Sequence, residues 1–370
     1  MATTKLRPAK KFGPGYFIRE QMEYRNWIQE DLAEVMGVTP KHINKILLDK
    51  QAITLDMAKI LAEVFDTSPQ YWLNLDANYR LWLQTEKSEK EVQADLKAKI
   101  YERMPIRDMI HKKWIPDFAN LKELHASVLA FWGVNELDFK GWDKKTSPIL
   151  ARKSESFNQY NASYTYTWYH KAMQTAQKYK VGNYNRDMLT QLFDNIHSYT
   201  MLENGCNIFI NELNKVGVIF FILPHLQKTY LDGSAFFVGD QPAIVYTGRY
   251  KRIDNFWFTI AHEIVHILYH FEKPDAFFVD NFSEKNIDNF EKEANLNASF
   301  KLKHNEIYDY LKPKLNYLTK QAIVDCSEHL QIHPAIIIGK LAHEKTISYA
   351  NQNLFNDNVL KKIDSAYTNL

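Results

Sequence analysis

The sequence predicts a mainly α-helical protein with one small β-sheet, which is an α+β fold. Apolar residues recur at helical spacing along most of the 370 residues. Strand-like runs of β-branched and aromatic residues, bounded by Gly and Pro, are confined to residues 217–248. Charges of alternating sign fill residues 85–99, which is typical of a solvated helix that joins two bodies. The chain should therefore fold as several domains.

The composition excludes several classes of protein. Lys and Arg number 46 against 44 Asp and Glu, so a nucleic-acid surface would be a local patch of the chain. Two cysteines, Cys206 and Cys326, cannot build a disulfide framework or a Cys-rich zinc ribbon, and their scarcity fits a reducing cytosol. The sequence has no apolar run of about 18 residues. We therefore expect a cytoplasmic protein that does not enter a membrane.

Four regions follow one another along the chain. Residues 1–85 have the pattern of short helices with tight turns, and residues 86–185 that of a helical spacer. The third region, 186–304, contains the strand-like runs and two further predicted helices, and region 305–370 is helical again. The predicted strands lie within 217–224, 235–239 and 242–248, and the two helices of the third region cover 255–270 and 290–302.

The first chemical signal is a pair of short helices near the N-terminus. Residues 29–36 can form a two-turn helix that Gly37 ends in the left-handed conformation, and Thr39 can cap the next helix. Ile43 and Leu47 give that second helix an apolar face. An ordinary helix hairpin with a solvated face would show the same pattern. The opposite face can donate to base edges and phosphates, through Lys41, His42, Asn44 and Lys45, with Lys50 and Gln51 just beyond.

Residues 28–83 resemble the Cro/C1-type (XRE) helix-turn-helix family, which has a lambda-repressor-like fold. Within it they are most similar to the HigA-type antitoxins. The resemblance rests on Gln29, Leu32, Ala33, Gly37, Val38, Ile43, Leu47, Thr67 and Ser68 and on residues 56–62, 71–75 and 79–82. It implies a homodimer on a double-stranded DNA operator. Gln29 would hold a phosphate, and the residues facing the groove would be Thr39, Lys41, His42, Asn44 and Lys45, with Lys50 nearby.

The second chemical signal is the sequence His262-Glu-Ile-Val-His266. On a helix the two imidazoles lie one turn apart on one face, so both can reach one zinc ion. Glu263 lies beside them and can act as general base towards a water molecule. Aromatic and aliphatic neighbours would bury this helix almost all round, and a helix of exposed histidines without chemistry is the alternative. The polar stripe consists of Thr259, His262, Glu263, His266 and His270.

A catalytic zinc site needs a third protein ligand, and two glutamates follow the histidine helix. Glu291 and Glu293 both offer a carboxylate. Residues 217–302 resemble the ImmA/IrrE metallopeptidase family, a zincin-like fold, through residues 259–266, His270, the strand 243–247 and Glu293-Ala-Asn295 with Ala298. The resemblance implies Zn²⁺ as cofactor and Glu293 as the third ligand. An extended peptide would dock along 244–247, which we expect to be an edge strand.

Both signals in one chain lead to three hypotheses. The first is a HigA-type DNA-binding regulator whose zinc peptidase domain binds or cleaves a protein partner. The second is a DNA-binding antitoxin that neutralises a toxin by contact, with a zinc domain that is a non-catalytic sensor or scaffold. The third is a peptidase that uses its helix-turn-helix for protein contacts.

Overall fold

The computed structural model describes residues 11–84, 88–144, 161–271, 284–348, 354–355 and 357–368. By its internal contacts the chain divides into two compact units, Met1–Leu96 and Lys97–Leu370. Among the described residues, helices dominate both units and one three-stranded sheet lies in the second, which confirms the predicted fold class. The predicted domain boundary at residue 85 lies outside the described residues. Each described helix is too short or too polar to cross a bilayer.

Within residues 11–84 of the first unit, five short helices form a bundle. Thr39 caps the third of them by accepting a hydrogen bond from the backbone N–H of His42 at 3.3 Å. Gly37, with φ 66°, ends the second helix in the left-handed conformation that the sequence predicts. Trp72, Leu61 and Ile43 are buried at the centre of the bundle. The helices are α1 (Pro14–Arg25), α2 (Gln29–Met36), α3 (Pro40–Leu47), α4 (Leu55–Phe65) and α5 (Pro69–Leu83).

From Glu89 onwards, the charged segment predicted to be a solvated helix is helical. Helix α6 covers Glu89–Arg103, and within it Ile100 is the buried residue. Six more helices are described before the sheet, within 97–144 and 161–218. They are α7 (Ile106–His111), α8 (Leu121–Trp132), α9 (Ala162–Ala176), α10 (Arg186–Asp194), α11 (Ile196–Thr200) and α12 (Gly205–Lys215).

The sheet has the strand order β1-β3-β2. Strand β1 (Ile219–Ile222) runs parallel to β3 (Gln241–Tyr246), and β2 (Gly233–Val238) runs antiparallel to it. The prediction that residues 244–247 form an edge strand is therefore wrong, because β3 pairs on both sides. Residues 242–246 of β3 are buried on both faces of the sheet. Among the described residues, the outer strands are β1 and β2.

Helices cover both faces of the sheet. On one face α9, from the predicted spacer, packs through Tyr169, whose hydroxyl accepts a hydrogen bond from Ser234 Oγ at 2.8 Å. On the other face lies the histidine-bearing helix α13 (Ile253–Val265), whose Phe256 ring packs against Tyr246 at 5.4 Å between centroids. This packing places α13 directly over β2 and β3.

Helix α13 continues without a break into a π-helical turn, His266–His270. The described elements that follow complete the second unit. Buried isoleucines in 336–338 show that the apolar run near the C-terminus is a packing surface. These elements are α14 (Glu284–Lys301), α15 (His304–Leu311), α16 (Lys320–Leu330), α17 (Pro334–His343) and the 3₁₀ turns Lys312–Tyr317, Val359–Lys361 and Ser365–Tyr367.

Acid should destabilise the second unit through His304. This residue is 7% exposed and its ring stacks on Phe258 with centroids 6.0 Å apart. Burial first, and then the charges of Lys340 and His343, lower its pKa from 6.5 to about 3. The folded state thus resists a proton that the unfolded state accepts. His304 therefore leaves the free energy of unfolding unchanged above pH 6.5 and lowers it by about 1.4 kcal/mol per pH unit as the pH falls from 6.5 towards 3.

The substitution His304→Phe should make the free energy of unfolding less dependent on pH between 6.5 and 4. Denaturant titrations of the wild type and the variant across this range measure the two slopes. Equal slopes in both proteins would show that His304 does not remain neutral in the folded state.

Candidate nucleic-acid interface and candidate metal centre

The structure exposes the polar face of helix α3. Its apolar side, Ile43, Ile46 and Leu47, is buried in the helical bundle. His42 is half-buried and its Nε2 lies 3.4 Å from the side-chain nitrogen of Gln51. The other predicted DNA-contact residues are exposed, namely Gln29, Thr39, Lys41, Asn44, Lys45 and Lys50. Their base and phosphate contacts stay a prediction.

The sequence His262-Glu-Ile-Val-His266 lies where α13 passes into the π-helical turn. His262 and Glu263 belong to the last part of α13, and His266 begins the π-helical turn. His262 is half-buried, whereas His266 and Glu263 are buried, at 3% and 7% exposure. The predicted spacing is confirmed, because the two imidazoles meet with Nε2 atoms 2.9 Å apart.

Glu291 on α14 completes a group of three side chains that could hold a metal ion. Its Oε2 lies 3.3 Å from His262 Nε2 and its Oε1 lies 3.6 Å from His266 Nε2. One ligand atom from each residue lies within 4.8 Å of the others. Two atoms bound to the same tetrahedral zinc at about 2.0–2.1 Å are about 3.3 Å apart. The donor set and its spacing therefore fit a zinc ion.

Glu293, which the resemblance implies as the third ligand, takes a different place in the structure. Its Oε2 lies 3.3 Å from His270 Nε2. Residues that are two positions apart in an α-helix project about 200° apart around its axis. Glu291 and Glu293 therefore cannot both face the same imidazoles. Asn295 is one turn from Glu291 and also reaches His262. The shared face of Glu291 and Asn295 is the sequence signal that could have indicated Glu291.

Asn295 orients the first imidazole. Its Oδ1 lies 3.1 Å from His262 Nδ1. With the metal-facing Nε2 unprotonated, a neutral His262 carries its proton on Nδ1 and donates it to this amide oxygen. The Asn that follows Ala294 therefore supports the metal centre from outside the ligand group.

The two imidazoles differ in their electrostatics. Burial opposes the charged form of His262, but its hydrogen bond to Glu291 and the charges of Glu263 and Glu291 outweigh burial and raise its pKa. Burial and the neighbouring His262 lower the pKa of His266 to about 3. Glu263 and Glu291 thus favour a positive charge at His262. His266 stays neutral and keeps a lone pair that can bind a cation.

Glu263 lies against the beginning of strand β2. A Cβ atom at Gly233 would come within 3.0 Å of Glu263 Oε1 and 2.4 Å of the Thr259 methyl group. Glycine at this position therefore leaves room for the carboxylate. The strand beside the candidate general base is β2, an outer strand among the described residues.

Tyr246, the last residue of strand β3, is fully buried in the core. Its hydroxyl donates to the Tyr250 carbonyl and lies 3.1 Å from Asn255 Oδ1, near the beginning of α13 and away from the histidine motif. His270, from the predicted polar stripe, contacts His266 and Glu293.

The two regions that carry these candidate sites match known families. Residues 18–72 match the family model described as Helix-turn-helix, and residues 215–337 match the model described as IrrE N-terminal-like domain. An HTH-type transcriptional regulator of Haemophilus influenzae is 44% identical over 52 residues, which are 14% of this chain and 49% of that protein. The match thus spans about half the length of this relative.

Two HTH-type transcriptional regulators of Escherichia coli K12 are similar to the same part of the chain. YddM is 35% identical over 68 residues, which are 18% of this chain and 72% of YddM. YbaQ is 38% identical over 52 residues, which are 14% of this chain and 46% of YbaQ.

A helix-turn-helix domain in one unit and an IrrE N-terminal-like domain in the other define the class of protein. It is a DNA-binding regulator that carries a peptidase-family domain. The chain belongs to the HTH-type transcriptional regulators.

Proposed function

We propose that the second unit is a zinc-dependent peptidase whose metal ligands are His262, His266 and Glu291. The observation that carries this proposal is the convergence of these three side chains within 4.8 Å beside the buried Glu263. Zinc at this site would supply a Lewis acid and lower the pKa of water towards 7. The resemblance implies Glu293 as ligand instead, and the separate positions of the two glutamates make the alternatives testable.

Glu263 performs the proton transfers in this proposal. Its carboxylate takes a proton from the attacking water and passes it to the amine that leaves when the peptide bond breaks. Asn295 keeps His262 in the tautomer whose Nε2 lone pair faces the metal. The apolar packing around α13 holds these groups in fixed positions, which proton transfer requires.

An extended segment of a protein partner would bind along strand β2. This strand is antiparallel to β3 on one side, and an added strand would use the backbone groups of its other side. Gly233, at the beginning of β2, adjoins Glu263. A peptide aligned with β2 would therefore pass next to the candidate general base.

The first unit supplies the regulatory context. We propose that it binds a palindromic operator as a homodimer in the cytoplasm, with a HigA-type role in which the second unit binds or cleaves a small toxin. Support comes from the helix-turn-helix match and from the exposed polar face of α3. The protein encoded beside this gene is the partner to test first.

The substitution Lys45→Ala should weaken operator binding in a salt-dependent manner. Lys45 is exposed on the polar face of α3, where its ammonium would replace a phosphate counterion. The slope of log affinity against log salt concentration should fall by about one. Fluorescence anisotropy with an operator duplex at several salt concentrations measures it. Lys59→Ala, which removes an exposed lysine from α4, is the matched control. An unchanged slope would exclude a phosphate contact by Lys45.

The peptidase proposal is tested with the full chain, loaded with zinc and mixed with the partner protein. Mass spectrometry of the mixture should reveal new N-termini in the partner. If the partner stays intact and a His262→Ala/His266→Ala variant still neutralises it, the zinc domain is a scaffold and the peptidase proposal is wrong.

A further inference from the structure

His270 and Glu293 form a second polar group that the proposed reaction does not use. His270 is 2% exposed, and its two ring nitrogens have different partners. Nδ1 lies 2.8 Å from Nδ1 of His266, and Nε2 lies 3.3 Å from Oε2 of Glu293. Each contact joins a buried imidazole to a group that can donate or accept a hydrogen bond, so the pair connects His266 to a carboxylate.

The nitrogen of His266 that faces the metal decides which group donates each hydrogen bond in the series His266, His270 and Glu293. If Nε2 of a neutral His266 offers its lone pair to a metal, the proton must be on Nδ1. That N–H then donates to Nδ1 of His270, which must accept. A neutral His270 consequently carries its own proton on Nε2 and donates it to Glu293. Every donor in this series of hydrogen bonds then meets an acceptor. If His270 Nδ1 donated to His266 instead, the proton of a neutral His266 would be on the nitrogen that faces the metal.

We propose that His270 and Glu293 are positioning residues that fix His266 in the tautomer and ring orientation required to bind the metal through Nε2. This inference rests on the proposed function, because it presupposes that His266 is a metal ligand. It assigns Glu293 a role outside the ligand group. His266 is then oriented by His270 and Glu293, as His262 is oriented by Asn295.

The backbone at this point supports such a role. His266 and His270 are the first and last residues of the π-helical turn, a rare feature that is frequent at functional sites. Arg186 on α10 donates a hydrogen bond to the Leu268 carbonyl within that turn. The ring of Phe290, on α14, lies against the His270 ring with centroids 4.5 Å apart. The His270 ring is thus held by its neighbours, which a residue that orients another requires.

The test compares the zinc affinity of full-length variants by competition with a chelator. His270→Phe removes the acceptor for His266 Nδ1–H and should weaken zinc binding about 10- to 100-fold, as losses of outer hydrogen-bond partners do. His270→Asn keeps an acceptor oxygen near the position of Nδ1 and should recover most of this loss. Glu293→Ala should cost less than His270→Phe, because the Glu293 side chain is 51% exposed and water can replace it. His304→Phe is the control, because His304 is a buried histidine that takes no part in the hydrogen bonds from His266 to Glu293, and this variant should bind zinc like the wild type.

A second measurement separates orientation from general damage to the fold. Nitrogen-15 NMR of the zinc-loaded wild type should show the proton of His266 on Nδ1 and the metal on Nε2. Zinc on Nδ1 of His266, or a His270→Phe variant that binds zinc within about twofold of the wild type, would overturn the inference. If Glu293→Ala loses as much affinity as Glu291→Gln, Glu293 is a ligand and the inference is wrong. If the wild type binds no zinc, the proposed function itself fails.

Discussion

Replacing Glu291 by glutamine should reduce zinc affinity by more than about 100-fold. Loss of an outer hydrogen-bond partner already costs 10- to 100-fold, and this change removes a charged ligand from a group of three. Both oxygens of Glu291 face the imidazoles, at 3.3 Å from His262 Nε2 and 3.6 Å from His266 Nε2. Glutamine has nearly the same shape but no negative charge. Chelator competition on the purified full chain measures the affinity.

Glu293→Gln is the matched control for Glu291→Gln. It makes the same chemical change two residues further along α14, where the carboxylate lies beside His270. The amide oxygen of glutamine can still accept a hydrogen bond from His270, so its zinc affinity should stay within about tenfold of the wild type. The reverse pattern, with zinc lost in Glu293→Gln and retained in Glu291→Gln, would restore the ligand that the family resemblance implies.

Replacing Glu263 by glutamine should lower the rate of partner cleavage by about 10²- to 10⁴-fold, the usual contribution of a general base. The amide fills the same buried position beside Gly233 but cannot take a proton. Zinc content and operator affinity should be unchanged, because Glu263 is neither in the ligand group nor in the first unit. The initial rate of appearance of cleaved partner, measured by mass spectrometry, tests this expectation.

Glu306→Gln is the control for the Glu263 variant, since it makes the same substitution at an exposed position of α15. It should cleave the partner at the wild-type rate. Undiminished cleavage by Glu263→Gln would exclude this residue as the base. A variant that lost its zinc together with its activity would show that Glu263 supports the metal site and would leave the base to another residue.

The sequence was sufficient wherever the signal is local. Gly37 and Thr39 fix the turn and the cap of the two N-terminal helices through their own backbone preferences, and both positions are confirmed. Two histidines four residues apart meet because the geometry of a helix brings them together. The residue types of the three strands also predict them, because β-branched and aromatic residues bounded by Gly and Pro are a local signal.

Relations between elements could not be predicted from local signals. The strand 244–247 was expected at an edge, but strand order depends on which distant strands pair, and β3 lies between β1 and β2. The choice between Glu291 and Glu293 depends on how α14 is rotated against α13. The fully buried Ala294 and Ala298 set that rotation, because small residues on one face let the helix pack closely.

Elemental analysis of the purified full-length protein tests the central claim most directly. We expect roughly one zinc ion per wild-type chain and essentially none in the His262→Ala/His266→Ala double variant. The helical content of the double variant should be that of the wild type. Equal zinc contents in the two proteins, or no zinc in the wild type after incubation with excess zinc, would contradict it.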